Sequence, residues 1–298
     1  MRSLALSALV AVTALSPIAP AYAGDIEVTA DSVAKRIDVA GRQRMLLERM
    51  AKYFCFARSN VSPMESAQAL AKAKDLFART HTGFRVGDPE QGLFEETSKG
   101  VGRHWENVDL LWVPLQATYD AALSGTFVDE DAFERSMRMT LEVRKRANDM
   151  VAEMRGAYAA EMGDAGVGES ILIDLYGRQR MLSQKLSKEV CLVARGTDLE
   201  GNTAELNATL ELFETSLNAF IEGMPIAGIP KPPSEAIAAQ LAIANGEWQP
   251  IRNVAATIAS GGAVNLTDLA TFAQGTDRFL VEMNKAVKLL AAQSAGTS

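Results

Sequence analysis

A ten-residue segment occurs twice in this chain, and this repeat constrains the fold more than any other feature. Residues 37–46 read IDVAGRQRML and residues 173–182 read IDLYGRQRML, an offset of 136 residues. With no gap, the same offset pairs Cys55 with Cys191, Phe77 with Phe213, Phe84 with Phe220, Gly87 with Gly223, Trp112 with Trp248 and Pro114 with Pro250. Solenoid repeats have periods of about 20 to 50 residues, so this unit is the size of a whole domain. The sequence therefore predicts a tandem duplication.

Each copy has helical hydrophobic periodicity throughout and no alternating β-branched run that predicts a strand. The predicted helices span residues 31–58, 62–84, 93–123 and 129–162 in the first copy, and 169–195, 203–222, 234–260 and 266–293 in the second. Asp31 is placed to cap the first helix, and Pro114 predicts a kink or break in the third. Four amphipathic helices with short connections predict an up-and-down bundle. The predicted fold class is all-α, with two tandem four-helix bundles.

The predicted domains cover residues 25–163 and 164–298. Their junction falls in the glycine-rich sequence GDAGVG at residues 163–168, which predicts either a linker or a continuous helix weakened by glycine. Phenylalanines seven residues apart in each second helix are predicted to be core residues, and the two tryptophans that precede the third-helix prolines are predicted to pack beside them. These aromatic residues are Phe77, Phe84, Phe213, Phe220, Trp112 and Trp248.

The N-terminal residues have the pattern of a secretory signal peptide. A basic second residue precedes an apolar run at residues 4–15, and the small-x-small sequence AYA ends at Ala23. We therefore predict that residues 1–23 form a signal peptide cut after Ala23. Pro17 and Pro20 keep the run shorter than the roughly 20 residues of a membrane helix. A periplasmic or secreted protein, with no membrane insertion after cleavage, is expected.

Charge and residue inventory exclude several classes of function. The net charge of −7 argues against nucleic acid as a partner, because such a surface repels phosphate backbones. The only histidines are His81 and His104, and no Cys-x-x-Cys pair occurs, so we expect neither a metal site nor a cofactor. No spacing indicates a nucleophile with its base or a pair of catalytic carboxylates. The chain is not expected to be an enzyme.

The repeated box GRQRML, followed in the second copy by SQKLSK at residues 183–188, carries a family resemblance. It resembles the first helix of the NarX/PilJ-like N-terminal sensor domain family, found in bacterial nitrate/nitrite sensor kinases and pilus-linked chemoreceptors. The Trp-x-Pro element at Trp112 and Trp248 is also similar. This resemblance covers both copies. It implies a four-helix sensor domain whose first helix faces a second first helix and holds one anion between them.

By motif position, the resemblance implies that Arg44 and Arg180 contact the anion and that Gly41 and Gly177 allow close backbone approach. A planar, permanently charged guanidinium suits a planar oxyanion. Helical geometry supports the choice, because Arg42 lies roughly 200° around the helix from Arg44 and cannot share its partner. The alternative interpretation is a basic helix face whose arginines pair with nearby carboxylates.

Pairing of the two first helices would also bring the two cysteines close together. Cys55 follows Arg44 by 11 residues, about three helical turns along the same face, and Cys191 stands in the same relation to Arg180. If parallel first helices bring the arginines together, they bring the thiols together and favour a disulfide in an oxidising compartment. The alternative is two buried thiols that act as small core residues.

These features lead to one functional hypothesis and one alternative. The hypothesis is a periplasmic protein that binds or senses a small oxyanion, such as nitrate or nitrite, between the first helices of the two repeats. Its signal would reach a separate membrane sensor or transporter. The alternative is a structural or protein-interaction module of the cell envelope without a small-molecule ligand.

Overall fold

The structure is a computed structural model. It describes the backbone of residues 26–296 and the side chains of residues 26–163 and 171–293. The predicted signal peptide and its cleavage site after Ala23 lie outside the described residues. Within the described part of the chain, no helix combines the length and the apolar character that crossing a membrane requires.

The all-α prediction is confirmed. The first repeat consists of α1 (Ala30–Arg58), α2 (Pro63–Val86), a small hairpin of β1 (Gly87–Asp88) and β2 (Leu93–Glu95), α3 (Lys99–Leu123) and α4 (Glu130–Ala157). The second consists of α5 (Ala159–Arg195), α6 (Leu199–Glu222), α7 (Glu235–Trp248), α8 (Arg252–Ala259) and α9 (Leu266–Gly296). Together α7 and α8 occupy the place of one third helix.

The two bundles meet along α1 and α5, and we call this contact the seam. Helix α1 packs against α5 more extensively than against any helix of its own repeat. The two helices run parallel, because Arg44, Glu48 and Cys55 of α1 contact Asp174, Lys188 and Cys191 of α5 in that order. The main hydrophobic cluster includes buried residues of both repeats. The seam therefore lies inside one shared core rather than between two separate ones.

The predicted aromatic core is confirmed. All six side chains named from the sequence are buried, and Phe77 and Phe213 each contact the tryptophan of their own repeat, with ring centroids 4.3 Å from Trp112 and 4.7 Å from Trp248. Phe84 belongs to a second, smaller cluster formed by first-repeat residues. The repeated sequence thus produces the same phenylalanine–tryptophan packing in both bundles, although Phe220, the equivalent of Phe84, belongs to the main cluster.

Several predicted helix boundaries were wrong. Helix α1 is capped by Thr29, whose side chain accepts from the backbone of Ser32, rather than by Asp31. Helix α3 begins at Lys99, because residues 93–95 pair with Gly87–Asp88 in the hairpin. The hairpin starts where Gly87 adopts a φ of 82°, a conformation that favours glycine. The second repeat makes a matching bridge between Met224 and Ile229.

The break considered at Pro114 does not occur, and the second-repeat helix predicted as continuous over residues 234–260 is the one that is interrupted. Helix α3 continues through Pro114, whereas the helix of the second repeat ends at Trp248 and resumes at Arg252, on either side of Pro250. Both prolines remove one helical hydrogen bond. The second repeat also has Gly246 four residues before its proline, and glycine weakens a helix by about 1 kcal/mol. The proline and the glycine both weaken the helix at this point, which explains why it breaks in the second repeat.

The junction between the repeats is a short interruption rather than a long linker. Helix α4 ends at Ala157 and α5 begins at Ala159, so the predicted fourth helix is shorter and the predicted fifth longer than expected. Inside α5 the backbone leaves helical geometry at Gly163, with φ 65° and ψ 175°. Residues 164–168 are helical. The glycine-rich sequence is therefore helical rather than a linker, but the helix is interrupted at Gly163 and is not continuous.

Candidate functional site

Both copies of the arginine box lie on the seam, with the box arginines buried. Arg44 is 2% exposed and Arg180 is 3% exposed. Each guanidinium folds back over the glycine three residues earlier, since a Cβ added at Gly41 would lie 3.1 Å from Nη2 of Arg44, and one added at Gly177 would lie 2.9 Å from Nη2 of Arg180. Both distances are shorter than ordinary Cβ contacts. The glycines thus make room for the arginine of their own helix.

Arg44 crosses the seam to an aspartate of the other repeat. Its Nη2 donates to Asp174, and its Nη1 donates to Oδ1 of Asn148 at 2.9 Å. Asp174 also accepts from Arg155 at 3.1 Å and from Arg178 at 3.2 Å. Although burial raises the pKa of Asp174, the nearby guanidinium charges, with Arg44 the foremost, hold that pKa below its ordinary value. We call these five residues the Arg44 corner.

One carboxylate therefore faces three guanidinium groups in this corner. Among the described side chains, Arg44, Arg155 and Arg178 have no second carboxylate at ion-pair distance. Burial, with the like charges of Arg178 and Arg180, lowers the pKa of Arg44 in spite of Asp174. The corner thus carries more positive than negative charge around a buried Arg44–Asp174 pair, with Arg155 and Arg178 reaching Asp174 from more exposed positions.

Arg180 makes the equivalent contacts with fewer neighbours. Its Nη2 donates to Oδ1 of Asp38 at 2.7 Å, and its Nη1 donates to Oδ1 of Asn284 at 3.0 Å. The Asp38 side chain is 26% exposed, whereas that of Asp174 is 2% exposed. In the described part of the chain, Asp38 has one arginine at ion-pair distance. We call Arg180, Asp38 and Asn284 the Arg180 corner.

A cavity of about 380 Å³ opens beside the Arg44 corner, and we call it the seam cavity. Its basic lining residues are Arg44, Arg144, Lys145 and Arg178, and its one acidic lining residue is Asp149. The cavity is also lined by apolar side chains of α5, α6 and the segment after α6; they are Leu175, Met181, Leu182, Leu212, Phe220 and Ile229. The volume lies within the range of small-molecule sites, about 300 to 1,000 Å³.

A second cavity, of about 330 Å³, lies on the other side of α1 and has balanced charges. Three acidic and three basic residues line it: Asp31, Asp38, Glu90, Lys35, Arg42 and Lys288. Arg180 is not among the residues that line either cavity. The two box arginines are thus equivalent in sequence, but only Arg44 borders an opening.

Further along the seam, Lys52 is fully buried and takes its partners from the second repeat. Its Nζ donates to Oε1 of Gln184 at 3.2 Å, to the carbonyl of Ala273 at 2.8 Å, to Oγ1 of Thr276 at 3.0 Å and to Oδ1 of Asp277 at 2.7 Å. Burial lowers the pKa of Lys52 to about 8, against the opposing effect of Asp277. Lys52 thus stabilises the contact between the two bundles.

Glu48 makes a comparable cross-seam contact. Its carboxylate lies 2.7 Å from Nζ of Lys188 and 2.8 Å from Nε of Arg144. Burial raises its pKa, but the charges of Lys188 and Arg144 reverse that effect and hold the pKa below its ordinary value. Because Arg144 also lines the seam cavity, Glu48 positions one of the cavity's cations.

The two cysteines form a disulfide across the seam. The Sγ atoms of Cys55 and Cys191 are 2.03 Å apart, and their Cα atoms are 6.2 Å apart. The bond joins equivalent positions of α1 and α5. Both repeats are therefore tied together covalently as well as by the crossed ion pairs.

The sequence placed both box arginines on the contact between the first helices, where the structure also has them. The close backbone approach predicted at Gly41 and Gly177 stays a prediction, because the atoms nearest to a Cβ added at either glycine are those of its own helix's arginine. The partners Asp38, Asp174, Asn148 and Asn284 were missed. A signal for them existed, because both aspartates and both asparagines are related by the same offset of 136 residues. The offset does not reveal the other arginines as a group. The positions of α9 that correspond to Arg144 and Arg155 are not arginines. Among the described residues, no cluster of three or more His, Cys, Asp or Glu side chains is placed to hold a metal ion.

Comparison with known proteins gives a family match. The family model of the type IV pili methyl-accepting chemotaxis transducer N-terminal domain, PilJ, matches residues 29–127 and residues 168–271. The two matched segments fall in the first and second repeats. No curated protein matches the chain significantly.

Proposed function

Because the chain belongs to the PilJ family of chemotaxis transducer N-terminal domains, we propose that it is a periplasmic sensing protein that binds a small anion in the seam cavity. Its role is binding and signalling rather than catalysis. A membrane sensor or transporter is the proposed recipient of the signal.

One observation supports this proposal above the others. Asp174 is shared by three arginines, and two of them, Arg44 and Arg178, also line a cavity that contains Arg144 and Lys145. Clustered positive charge repels itself, most strongly at the buried Arg44, so an anion that enters the cavity relieves that repulsion. The forked guanidinium head groups of Arg44 and Arg178 supply paired donors for an oxyanion or a carboxylate.

The proposed signal is a change in the seam. An anion that competes with Asp174 for the guanidinium groups weakens a contact that holds α1 against α5. Ligand binding then favours a different relation between the two first helices, and the strength of that preference equals the difference in affinity for the two states. The disulfide at Cys55 and Cys191 limits the movement to the arginine end of the seam.

The test compares two buried arginines that are equivalent in sequence. Calorimetry with nitrate, nitrite, sulfate and acetate should detect binding to the natural protein. An anion present at 100 times its Kd should add about 2.7 kcal/mol to the free energy of unfolding. Arg44→Gln should abolish this binding, whereas Arg180→Gln, the matched control, should retain it.

The control also tests the hypothesis that both arginines hold one anion. If Arg180→Gln abolishes binding as completely as Arg44→Gln, the anion lies between Arg44 and Arg180, with Gly41 and Gly177 beside it, rather than in the seam cavity. If the natural protein binds neither these four anions nor larger carboxylates such as hexanoate and benzoate, anion sensing is rejected.

The second candidate is an envelope interaction module without a small ligand. It is favoured by the crossed pairs themselves, since Arg44 and Arg180 each have a carboxylate partner already. In that case the arginines only stabilise the seam. Both variants would then lower stability and neither would change any binding heat.

A further inference from the structure

The walls of the seam cavity differ in chemistry, and this difference bears on the class of ligand. The basic residues Arg44, Arg144, Lys145 and Arg178 come from α1, α4 and α5. The apolar lining residues, here called the apolar wall, come from α5, α6 and the segment that follows α6, and the polar Gln179 and Ser216 lie among them. An inorganic oxyanion is small and strongly hydrated, so it would leave this wall in contact with water.

The apolar wall includes an exposed leucine. Leu212 on α6 is 56% exposed, although it borders a cavity that also contains the buried Phe220. The equivalent residue of the first repeat, Leu76, is partly buried and packs against the main core. Burial of apolar surface is favourable by about 25 cal/mol per Å². The wall around Leu212 therefore favours an apolar group of a ligand.

From these two observations, resting on the proposed function above, we propose that the seam cavity takes an organic anion with one charged end and one apolar body, such as an aliphatic or aromatic carboxylate. The charged end lies against Arg44 and Arg178. The apolar body lies against Leu182, Leu212 and Phe220. The second cavity does not offer the same combination, because its acidic and basic residues are balanced.

Calorimetry on the full chain with a matched set of probes tests this proposal. The probes are nitrate, acetate, hexanoate, benzoate and the uncharged benzamide. Hexanoate and benzoate should bind at least 10-fold more tightly than acetate and nitrate, with one site per chain. This ratio corresponds to about 1.4 kcal/mol. Benzamide should not bind measurably, because it lacks the charge.

Variants at exposed positions keep the fold intact and separate the two ends of the ligand. Leu212→Asn should reduce hexanoate affinity toward that of acetate and leave acetate unchanged. Arg178→Gln should weaken both acids alike. Ile243→Asn is the control, because Ile243 is 52% exposed and does not line the cavity. It should change neither affinity.

The outcomes distinguish this inference from the proposed function. If nitrate and acetate bind as tightly as hexanoate, the apolar body is not recognised and this inference is overturned, while anion sensing stands. If none of the anions binds, both proposals are overturned. If benzamide binds as well as benzoate, charge plays no part and the anion proposal is overturned with it. If affinity rises further from hexanoate to decanoate, the natural ligand is the acyl chain of a lipid. If affinity falls, the natural ligand is a small soluble acid.

Discussion

The Arg44 corner and the Arg180 corner contain the same repeated residues but have different surroundings. In both, a buried arginine lies over a glycine, crosses the seam to an aspartate and contacts an asparagine. Beyond those shared contacts the corners diverge. Around the Arg44 corner, α4 contributes Arg144, Lys145 and Arg155, and the positions 136 residues later in α9 are Leu280, Val281 and Ala291.

This difference shows that the repeated box does not by itself create a binding site. The box provides the seam, since both crossed pairs join α1 to α5. Helix α4 adds two of the four cations of the seam cavity, whereas in the second cavity Lys288 of α9 joins residues of α1 and Glu90 that balance the charge. A duplicated chain can therefore keep one corner as a structural contact while the other corner carries the proposed ligand site.

The largest expected effect concerns the bond that both corners share. Replacing Cys55 and Cys191 with alanine removes a cross-link that closes a loop of 136 residues. The chain-entropy estimate for such a loop is a loss of about 5 kcal/mol in the free energy of unfolding. Urea denaturation should show this loss, and the natural protein in reductant should behave like the variant. Hydrogen exchange of the variant should show the same loss of protection at the Arg44 corner and at the Arg180 corner. Unequal losses would mean that the seam does not unfold as one cooperative unit.

The next prediction compares the two aspartates. Asp174→Asn leaves three guanidinium groups without their carboxylate, and Arg44 among them is buried, so we expect a loss of about 3 to 5 kcal/mol. Asp38→Asn leaves only Arg180 without its carboxylate, at a more exposed position, so we expect about half as much. Chemical denaturation of both variants measures the difference. Equal losses would contradict the claim that the Arg44 corner carries the greater excess of charge.

A third prediction concerns the pH dependence of stability and rests on a histidine that the second repeat replaces with leucine. His81 occupies the position of Leu217, and burial lowers the pKa of His81 to about 4 in spite of Asp109. The unfolded chain takes up this proton near pH 6.5 and the folded chain near pH 4. The histidine therefore costs no stability above pH 6.5. As the pH is lowered from 6.5 to 4, the unfolded chain binds this proton and the folded chain does not, so the free energy of unfolding falls by at most about 1.4 kcal/mol per pH unit.

The matched variant is His81→Leu, which gives the first repeat the residue of the second. We expect the variant to lose less stability than the natural protein between pH 6.5 and 4, as measured by urea midpoints across that range. Leu217→Ala, a core truncation in the other repeat, should lower stability without changing the slope against pH. Identical slopes for the natural protein and His81→Leu would mean that His81 does not titrate with a lowered pKa.

The smallest expected effect concerns the glycines. An alanine at Gly41 or Gly177 gains about 1 kcal/mol of helix propensity, and its Cβ pushes against the arginine three residues later. The net change in stability should lie within about 1 kcal/mol for both variants, and Gly177→Ala should be the less stable because its contact is closer. Only Gly41→Ala should weaken anion binding, as calorimetry would show. Equal effects on binding would contradict the difference between the corners.

Much of the fold could be predicted from the sequence because it depends on local patterns. The 136-residue offset and the helical periodicity gave two helical bundles, and the seven-residue phenylalanine spacing gave their cores. The boundary errors arose where tertiary contacts decide, as at residues 93–95, whose pairing with Gly87–Asp88 no helical pattern indicates. The continuous helix at Pro114 also depends on what packs around it.

The candidate site was predicted in part. Its central residues, Arg44 and Gly41, follow from the repeated box and its family resemblance. Its charge does not, because Arg155 lies on α4, more than one hundred residues after Arg44. The periodicity of a helix tells which face a side chain shares, but not which other helix will contact that face. Leu212 likewise appears in the sequence as one more apolar residue of α6.

By itself, the sequence determined that this protein is a duplication of one helical unit, with equivalent arginines, glycines and cysteines in each copy. Local spacing fixes these properties, since helices form from neighbouring residues. Only the tertiary structure decided that each arginine pairs with the other repeat's aspartate and that one corner has three guanidinium groups around a single carboxylate. Those contacts join helices that are distant in the chain, and packing of the shared core brings them together.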